Sequence, residues 1–334
     1  MSDGTRMTRR TFLSTTFVAA GAASLAAGPF AARPFAAGPF AAATRAAAQA
    51  AGRPVRLGGP IFLKPDDDPA RLAREHRTLG YSAAYCPTAR ADDRERVRAI
   101  REAFAKEDVV IAEVGAWRNL LDPDTQKRAD NFKYVVERLE LAEAVGARCC
   151  VDIAGSYNPE VWYGAHPKNL SKEFFDATVE NCRRIIDAVK PRATTFSIEM
   201  MPWSLPDGPE EYLRLIKAVD RPAFAVHMDV CNGINSPTRF YNNAAFIRDC
   251  FRILGRWIAS CHAKDLAWIP EYNVHFQEVV PGRGQVDYAT YLRELSKLSV
   301  DAPLMLEHLK TPEEYTEGRT HIRAVGDRAG IRFA

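Results

Sequence analysis

The sequence predicts a (β/α)8 barrel, and three features of the chain beyond residue 52 support this prediction. Short apolar runs alternate with longer segments of helical periodicity, an order typical of βαβ units and a parallel sheet. Eight such runs fall within about 280 residues, which suits a barrel of this kind. A doubly wound sheet is the alternative, but no Gly-x-Gly-x-x-Gly motif follows the first run.

The eight apolar runs are the predicted barrel strands. They lie at 55–63, 81–86, 109–117, 148–154, 194–200, 224–230, 258–264 and 302–308. The segments between them repeat apolar residues at the spacing of one helix face. These predicted helices are 91–106, 127–145, 170–189, 209–219, 239–256, 288–298 and 312–328. We therefore expect a single barrel domain over residues 53–334.

The first 52 residues are predicted to be an export signal and linker. The motif from Thr8 to Leu13 reads TRRTFL and precedes an Ala-rich, weakly apolar stretch, which resembles a twin-arginine signal. Three Pro-Phe-Ala-Ala copies then follow, at 29–32, 34–37 and 39–42. We expect recognition by the twin-arginine export machinery and a periplasmic or secreted location. The alternative is a disordered tail that merely contains two arginines.

Charge and cysteine content argue against several classes of protein. The net charge is only +3, and no long Lys/Arg run interleaves with aromatic residues, so nothing indicates nucleic-acid binding. The seven cysteines form no CxxC pair. Cys149 and Cys150 are neighbours in a predicted strand and should point to opposite faces. We expect buried thiols rather than a disulfide framework or a zinc cluster.

Strand alternation predicts a group of ionisable side chains at one rim of the barrel. In this fold the functional groups lie at the C-terminal ends of the strands. The apolar face of each strand should meet the helices, so the polar face points inward. The rim residues selected in this way are Glu199, Asp229, His262 and Glu307. Each alone is also compatible with a salt bridge or a hydrogen-bonded core histidine, but the four together indicate a shared site.

A divalent cation explains why three carboxylates would be placed so close together. Without it they would repel one another strongly inside a protein. One imidazole with three carboxylates is a hard, oxygen-rich ligand set that favours Mn²⁺ or Mg²⁺, with Co²⁺, Fe²⁺ or Zn²⁺ as alternatives. Such an ion could stabilise an enediolate, while two flanking carboxylates remove and return a proton.

The motifs around these residues resemble those of the xylose isomerase-like barrel superfamily, which includes ketose 3-epimerases, inosose dehydratases and hydroxypyruvate isomerases. The resemblance covers nearly all of residues 55–325. Its motifs are LAEAVGA at 141–147, Ile198-Glu199, Met228-Asp229, His262-Ala-Lys-Asp265, Pro281-Gly-Arg-Gly284 and Leu306-Glu307. It implies that the four rim residues bind one metal ion. It also implies that Glu199 and Glu307 act as acid and base on opposite faces of the substrate.

Further polar and aromatic residues are candidates for contacting the substrate. The proposed set is His227, Asn232, Lys264, Arg283 and Trp203. His227 is alternatively a core histidine, Lys264 a partner of Asp265, and Arg283 an ordinary turn charge. Asn232 and the segment 200–203 depart from the ketose-epimerase pattern, so the substrate is less specified than the metal site. Other side chains predicted after strands on this rim are Glu113, a candidate additional acid, and Trp117, Asp152, Trp162, Tyr163 and His166.

The leading functional hypothesis is a metal-dependent isomerase or epimerase acting on a non-phosphorylated keto-sugar or polyol. A lyase or dehydratase acting on an inosose or a 3-keto-glycoside would use the same enolate chemistry. A non-catalytic sugar-binding barrel is a remoter alternative. The endonuclease IV branch of this barrel needs more histidines than the second and third strands supply, since these end in Tyr85 and Trp117. The sequence leaves the sugar and the oligomeric state open.

Overall fold

A closed barrel of eight parallel strands dominates the described part of the chain. The computed structural model describes residues 52–334, and the predicted export signal lies outside them and stays a prediction. The barrel strands follow one another in chain order around the ring, which closes between the first and the last. The strands are β1 (Leu57–Gly58), β2 (Ala83–Tyr85), β3 (Val110–Gly115), β4 (Cys149–Asp152), β5 (Thr195–Glu199), β6 (Phe224–Met228), β7 (Ile258–Ala263), β8 (Asp265–Trp268), β9 (Phe276–Val279) and β10 (Leu304–Leu306), of which β8 and β9 lie outside the barrel. The predicted fold class is confirmed.

Helices connect successive barrel strands, and one more helix follows the last strand. They are α1 (Pro69–Thr78), α2 (Arg94–Lys106), α3 (Thr125–Val145), α4 (Lys172–Val189), α5 (Pro209–Val219), α6 (Val230–Gly233), α7 (Pro237–Tyr241), α8 (Asn243–Leu254), α9 (Tyr288–Ser296) and α10 (Pro312–Ala329). Helix α1 was not among the predicted helices, although Asp68 caps its first turn by accepting a hydrogen bond from the Arg71 N–H. None of the helices in residues 52–334 is both long and apolar enough to cross a membrane.

The apolar core lies mainly between the outer face of the barrel and the helices. Phe196 and Ile198 of β5 belong to this layer, whereas Ser197 and Glu199 do not. A second, smaller apolar cluster fills the barrel interior with Ala83, Ala112 and Met305. The alternation of the strands therefore separates a packed apolar layer outside the barrel from a partly polar interior.

Strand β3 contains a bulge that changes which side chains enter the barrel. Its pairing with β2 jumps from Ile111 to Glu113, so Ala112 has no direct partner there. Ala112 packs inside the barrel, and Glu113 hydrogen-bonds to the interior His227. A bulge can turn two successive residues toward the same side of a strand. Glu113 therefore enters the interior beside Ala112.

An antiparallel hairpin of β8 and β9 follows β7 and lies outside the ring of barrel strands. Its register pairs Asp265 with Val279 and Trp268 with Phe276. The sequence analysis did not predict this hairpin. Its second strand brings Glu278 to the rim, within 3.7 Å of the Lys264 ammonium.

Candidate metal centre

The four side chains predicted at the rim, here called the rim quartet, converge on Nδ1 of His262. This nitrogen lies 2.8 Å from Glu199 Oε1, 3.0 Å from Glu307 Oε2 and 3.5 Å from Asp229 Oδ2. The quartet comes from the C-terminal ends of β5, β6, β7 and β10, which are neighbours in the barrel. Glu307 is partly exposed, and the other three members are buried. The geometry thus brings together all four predicted ligands.

The rim quartet fits a hard divalent cation. One ligand atom from each member lies within 4.8 Å of those from the other members. Asp229 Oδ2 and Glu307 Oε2 are buried without a hydrogen-bond partner. A buried carboxylate oxygen without a partner is costly, and coordination would satisfy both oxygens.

Lys264 also faces the rim quartet. Its Nζ atom lies 2.9 Å from Asp229 Oδ2 and 2.9 Å from Glu307 Oε2, although neither contact has the geometry of a hydrogen bond. The ammonium stabilises the charged forms of both carboxylates, as does the imidazole of His262. Lys264 therefore lies directly beside two of the proposed metal ligands.

Asp265 has a different role from the neighbouring Lys264, because it fixes the turn that follows the hairpin. Its carboxylate accepts hydrogen bonds from four backbone N–H groups, those of Leu266, Gly282, Gly284 and Val286. Gly282 has φ +101°, and a Cβ at Gly284 would lie 2.3 Å from Asp265 Oδ1. Glycine is therefore required at both positions. The His-Ala-Lys-Asp and Pro-Gly-Arg-Gly motifs form one structural unit.

Glu113 lies beneath the rim quartet and connects two histidines. Its Oε1 accepts from His262 Nε2 at 3.1 Å, and its Oε2 accepts from His227 Nε2 at 2.7 Å and from Ser260 Oγ at 3.2 Å. All of these side chains are buried. A metal-binding histidine commonly donates its second N–H to a carboxylate, which fixes the ring orientation. Glu113 thus holds His262 with Nδ1 directed toward the carboxylates of the quartet.

Charges around His262 shift the pKa values of the buried groups in different directions. Burial raises the pKa of Glu199 above its ordinary value, although Lys264 and His262 oppose this. For Glu307, burial also disfavours the charged form, but His262 outweighs it and lowers the pKa to about 2. The pKa values of the two glutamates are therefore shifted in opposite directions. Such a difference suits two carboxyl groups with opposite roles in proton transfer.

The other predicted substrate residues are distributed over different parts of the structure. His227 is fully buried below the quartet and does not reach the mouth of the barrel. Asn232 donates its backbone N–H to Asp229 Oδ1 at 3.1 Å. The Arg283 guanidinium forms two hydrogen bonds with Glu317 of α10, at 2.7 and 2.6 Å. Arg283 lines the cleft beside Lys264, but its charge is paired away from the quartet.

Two residues of the rim were not found by the sequence analysis. Strict alternation assigns His308 to the helix-facing side, but its backbone has φ +60°, which redirects the side chain. Its Nε2 lies 3.6 Å from Glu307 Oε2, and its Nδ1 lies 2.9 Å from Glu278 Oε2. Both His308 and Glu278 line the cleft beside Lys264. The position of His308 depends on a left-handed backbone at a strand end, and that of Glu278 depends on a hairpin strand. Neither feature produces a periodic pattern in the sequence from which the residue could be predicted.

Asp152 ends β4 but does not belong to the metal centre. Its register partner is Ile198, whose side chain faces the helices. Asp152 is fully buried; Oδ1 accepts a hydrogen bond from the Arg118 N–H at 2.8 Å, and Oδ2 has no partner. Burial raises the pKa of Asp152 to about 8. This residue is therefore a structural acid that is protonated at neutral pH.

Asp152→Asn is expected to make the stability of the protein less dependent on pH. Between pH 3.8, the ordinary pKa, and about 8, the folded state retains a proton that the unfolded state has released. The free energy of unfolding therefore falls as pH rises, by at most about 1.4 kcal/mol per pH unit. Urea denaturation at pH 5 and pH 8 should show a larger loss in the wild type than in the variant. Parallel pH profiles would contradict this account.

Comparisons with known proteins agree with this fold. Residues 73–325 match the family model described as xylose isomerase-like TIM barrel. No curated protein matches the sequence significantly. D-psicose 3-epimerase from Clostridium cellulolyticum H10, solved with D-tagatose, is 15% identical with a TM-score of 0.58, over 83% of this chain and 100% of that one.

Two further solved structures are similar at the level of fold. A xylose isomerase-like TIM barrel protein from Mycobacterium smegmatis, in complex with magnesium, is 17% identical with a TM-score of 0.57, over 82% of this chain and 97% of that one. The 3-keto-D-glucoside 4-epimerase from E. coli is 14% identical with a TM-score of 0.56, over 81% of this chain and 99% of that one. Because the family model spans most of the chain, the protein belongs to the xylose isomerase-like TIM barrel family.

Proposed function

We propose that the protein is a divalent-metal-dependent isomerase or epimerase that acts on a non-phosphorylated keto-sugar or polyol. The observation that carries this proposal is the convergence of three carboxylates on His262 Nδ1, at 2.8 to 3.5 Å. A sugar-binding protein without catalytic activity has no need for such a concentration of buried carboxylates. The likeness to a magnesium-bound barrel and to sugar epimerases supports the same proposal.

The proposed metal ligands are the members of the rim quartet, with Mn²⁺ favoured. A bound divalent ion would stabilise the enediolate that forms when a C–H next to a carbonyl loses its proton. The Lys264 ammonium, 2.9 Å from two carboxylates, is proposed to stabilise negative charge on the reacting oxygens. The Trp117 ring centroid lies 6.2 Å from that of His262.

Glu199 and Glu307 are the proposed proton-transfer groups. They extend from β5 and β10, and two strands, β6 and β7, separate them in the barrel. The two carboxyl groups therefore approach the centre from different sides. One can remove a proton from a substrate carbon and the other can return a proton to the opposite face, which inverts that carbon. Return of the proton to the adjacent carbon would give an isomer instead.

Deuterium exchange is the experiment that tests the proposed function. Mn²⁺-loaded protein is incubated in D₂O with a panel of ketoses, inososes and 3-keto-glycosides, and the products are analysed by NMR. We expect deuterium at a carbon adjacent to the carbonyl of the substrate and of its epimer or isomer. Protein treated with EDTA should show neither exchange nor product, and re-addition of Mn²⁺ should restore both.

The outcome also distinguishes the competing functions. Exchange accompanied by loss of water or of an aglycone would favour the lyase or dehydratase hypothesis over epimerisation. Sugar binding without exchange would favour a non-catalytic binding barrel. The absence of exchange, product and binding across the whole panel would contradict the proposed function.

A further inference from the structure

A large groove lies beside the metal centre and is not used by the proposed proton transfer. It has a volume of about 900 Å³, whereas the cleft next to Lys264 and Glu307 has about 170 Å³. Known pockets for drug-sized ligands have about 300–1,000 Å³. The groove, here called the side groove, can therefore hold a group much larger than the proton-transfer chemistry requires.

The side groove adjoins the cleft beside the metal centre. Glu278 lines both the side groove and the cleft beside Lys264. Asn232, which also lines the side groove, donates its backbone N–H to Asp229 of the rim quartet. The shared residue Glu278 and the Asn232–Asp229 contact place the side groove next to the rim quartet.

Exposed apolar side chains line two walls of the side groove. On the wall formed by the loops after β4 and β5, Leu170 is 62% exposed and Trp203 is 63% exposed. On the hairpin wall, Val274 is 60% exposed. Large apolar side chains grouped around a groove commonly mark a binding site. Polar groups between them, such as those of Asn232 and His166, suit a ligand that also carries hydroxyl groups.

Both walls are held in place by specific contacts. The Phe276 ring stacks on Phe240, with centroids 4.6 Å apart and planes at 12°. The Trp203 carbonyl accepts a hydrogen bond from Asn169 Nδ2 at 3.2 Å, and Asn169 is fully buried. A preformed wall loses little conformational freedom when a ligand binds. The side groove is therefore organised before any ligand arrives.

We propose that the side groove binds the second ring of a glycoside whose keto-sugar ring lies at the metal centre. This inference rests on the proposed function and narrows its substrate class from free sugars to glycosides. Trp203 provides a flat apolar face for the second ring, which is either a sugar or an aryl group. Both kinds of ring present an apolar face to the indole, either the π face of an aryl group or the C–H face of a pyranose chair, and both are joined through a glycosidic oxygen.

Calorimetry with Mn²⁺-loaded protein tests this proposal. The probes are the methyl, phenyl and glucosyl β-glycosides of 3-ketoglucose, together with free 3-ketoglucose. We expect the phenyl glycoside, the glucosyl glycoside or both to bind about ten-fold more tightly than the methyl glycoside. Trp203→Ala should reduce this ratio to about one. The second ring is identified by the glycoside, phenyl or glucosyl, that the wild type binds more tightly than the methyl glycoside.

Trp268→Ala is the matched control. Trp268 is 54% exposed and lies on the hairpin that forms one wall of the side groove, but its side chain does not line the groove. It should keep the wild-type ratio. Equal affinities for all three glycosides, or an equal effect of both tryptophan variants, would overturn the proposal and leave the proposed function intact. Failure to bind any of the four sugars would overturn the glycoside proposal, whereas the proposed function is overturned only by failure across the wider panel of keto-sugars. A lower molar mass of Trp203→Ala in light scattering, with an unchanged ratio, would instead identify the groove as a subunit interface.

Discussion

Glu307→Gln is expected to lower kcat for the keto-sugar reaction by about 10²–10⁴-fold. Glutamine keeps the size of the side chain but cannot accept the substrate proton. Glu307 is placed for that task because it is the partly exposed member of the rim quartet, where a substrate entering the mouth of the barrel would reach its carboxylate. Steady-state kinetics with saturating Mn²⁺ would measure the loss.

The companion variant Glu199→Gln separates the two proposed proton-transfer roles. If each glutamate serves one face of the substrate, each single variant should still exchange deuterium into one epimer while interconversion of the epimers is lost. Glu313→Gln is the matched control, because Glu313 lies exposed in the first turn of α10 and should keep the wild-type kcat. Loss of exchange from both epimers in each variant would contradict the assignment of one glutamate to each face.

Glu113→Ala is expected to weaken Mn²⁺ binding by about 10–100-fold, although Glu113 is not a member of the rim quartet. Its carboxylate orients His262 through Nε2, at 3.1 Å, and loss of that contact frees the ring to rotate. The variant also leaves His227 and Ser260 without their acceptor, at a cost of about 1–3 kcal/mol in stability for each unsatisfied group. Isothermal titration with Mn²⁺ measures the affinity, and urea denaturation of the metal-free protein measures the stability.

Glu113→Gln provides the matched comparison. Glutamine keeps an oxygen that can accept from His262 but replaces the other oxygen, which accepts from His227, by an N–H donor. We expect a smaller loss of Mn²⁺ affinity than in Glu113→Ala. Wild-type affinity in Glu113→Ala would contradict the orienting role. A lower kcat at saturating Mn²⁺ with unchanged affinity would instead indicate that Glu113 acts as the additional acid considered in the sequence analysis.

The rim quartet could be predicted because its four strands follow simple alternation up to their C-terminal ends. Phe196 and Ile198 mark the outer face of β5 clearly, which leaves Glu199 on the inner face. The same reasoning selects His262, since Cys261 and Ala263 pack in the outer apolar layer. In a parallel barrel these strand ends meet at one rim, so the sequence alone specifies their proximity.

Glu113 was predicted after its strand at the rim, but it lies within β3 beneath the rim quartet, a position that alternation does not predict. The bulge at Ala112 breaks the alternation of β3, and no residue type in the segment signals the break. Strict alternation of Glu113 with the inward-facing Ala112 would place the carboxylate on the helix side of the strand. The position of His308 depends in the same way on a single left-handed residue. Local backbone irregularities of this kind are decided by tertiary packing rather than by side-chain periodicity.

The hairpin of β8 and β9 has a consequence for how this protein could diversify. It forms one wall of the side groove, yet its two strands pair only with each other and contribute nothing to the hydrogen-bonded ring of the barrel. Substitutions or changes of length at its tip, residues 269–275, would alter the groove without moving the strand ends that carry the rim quartet. On the proposed function, selectivity and chemistry would be encoded in separable segments, so exchange of one hairpin for another would offer a route to new substrates on an unchanged barrel.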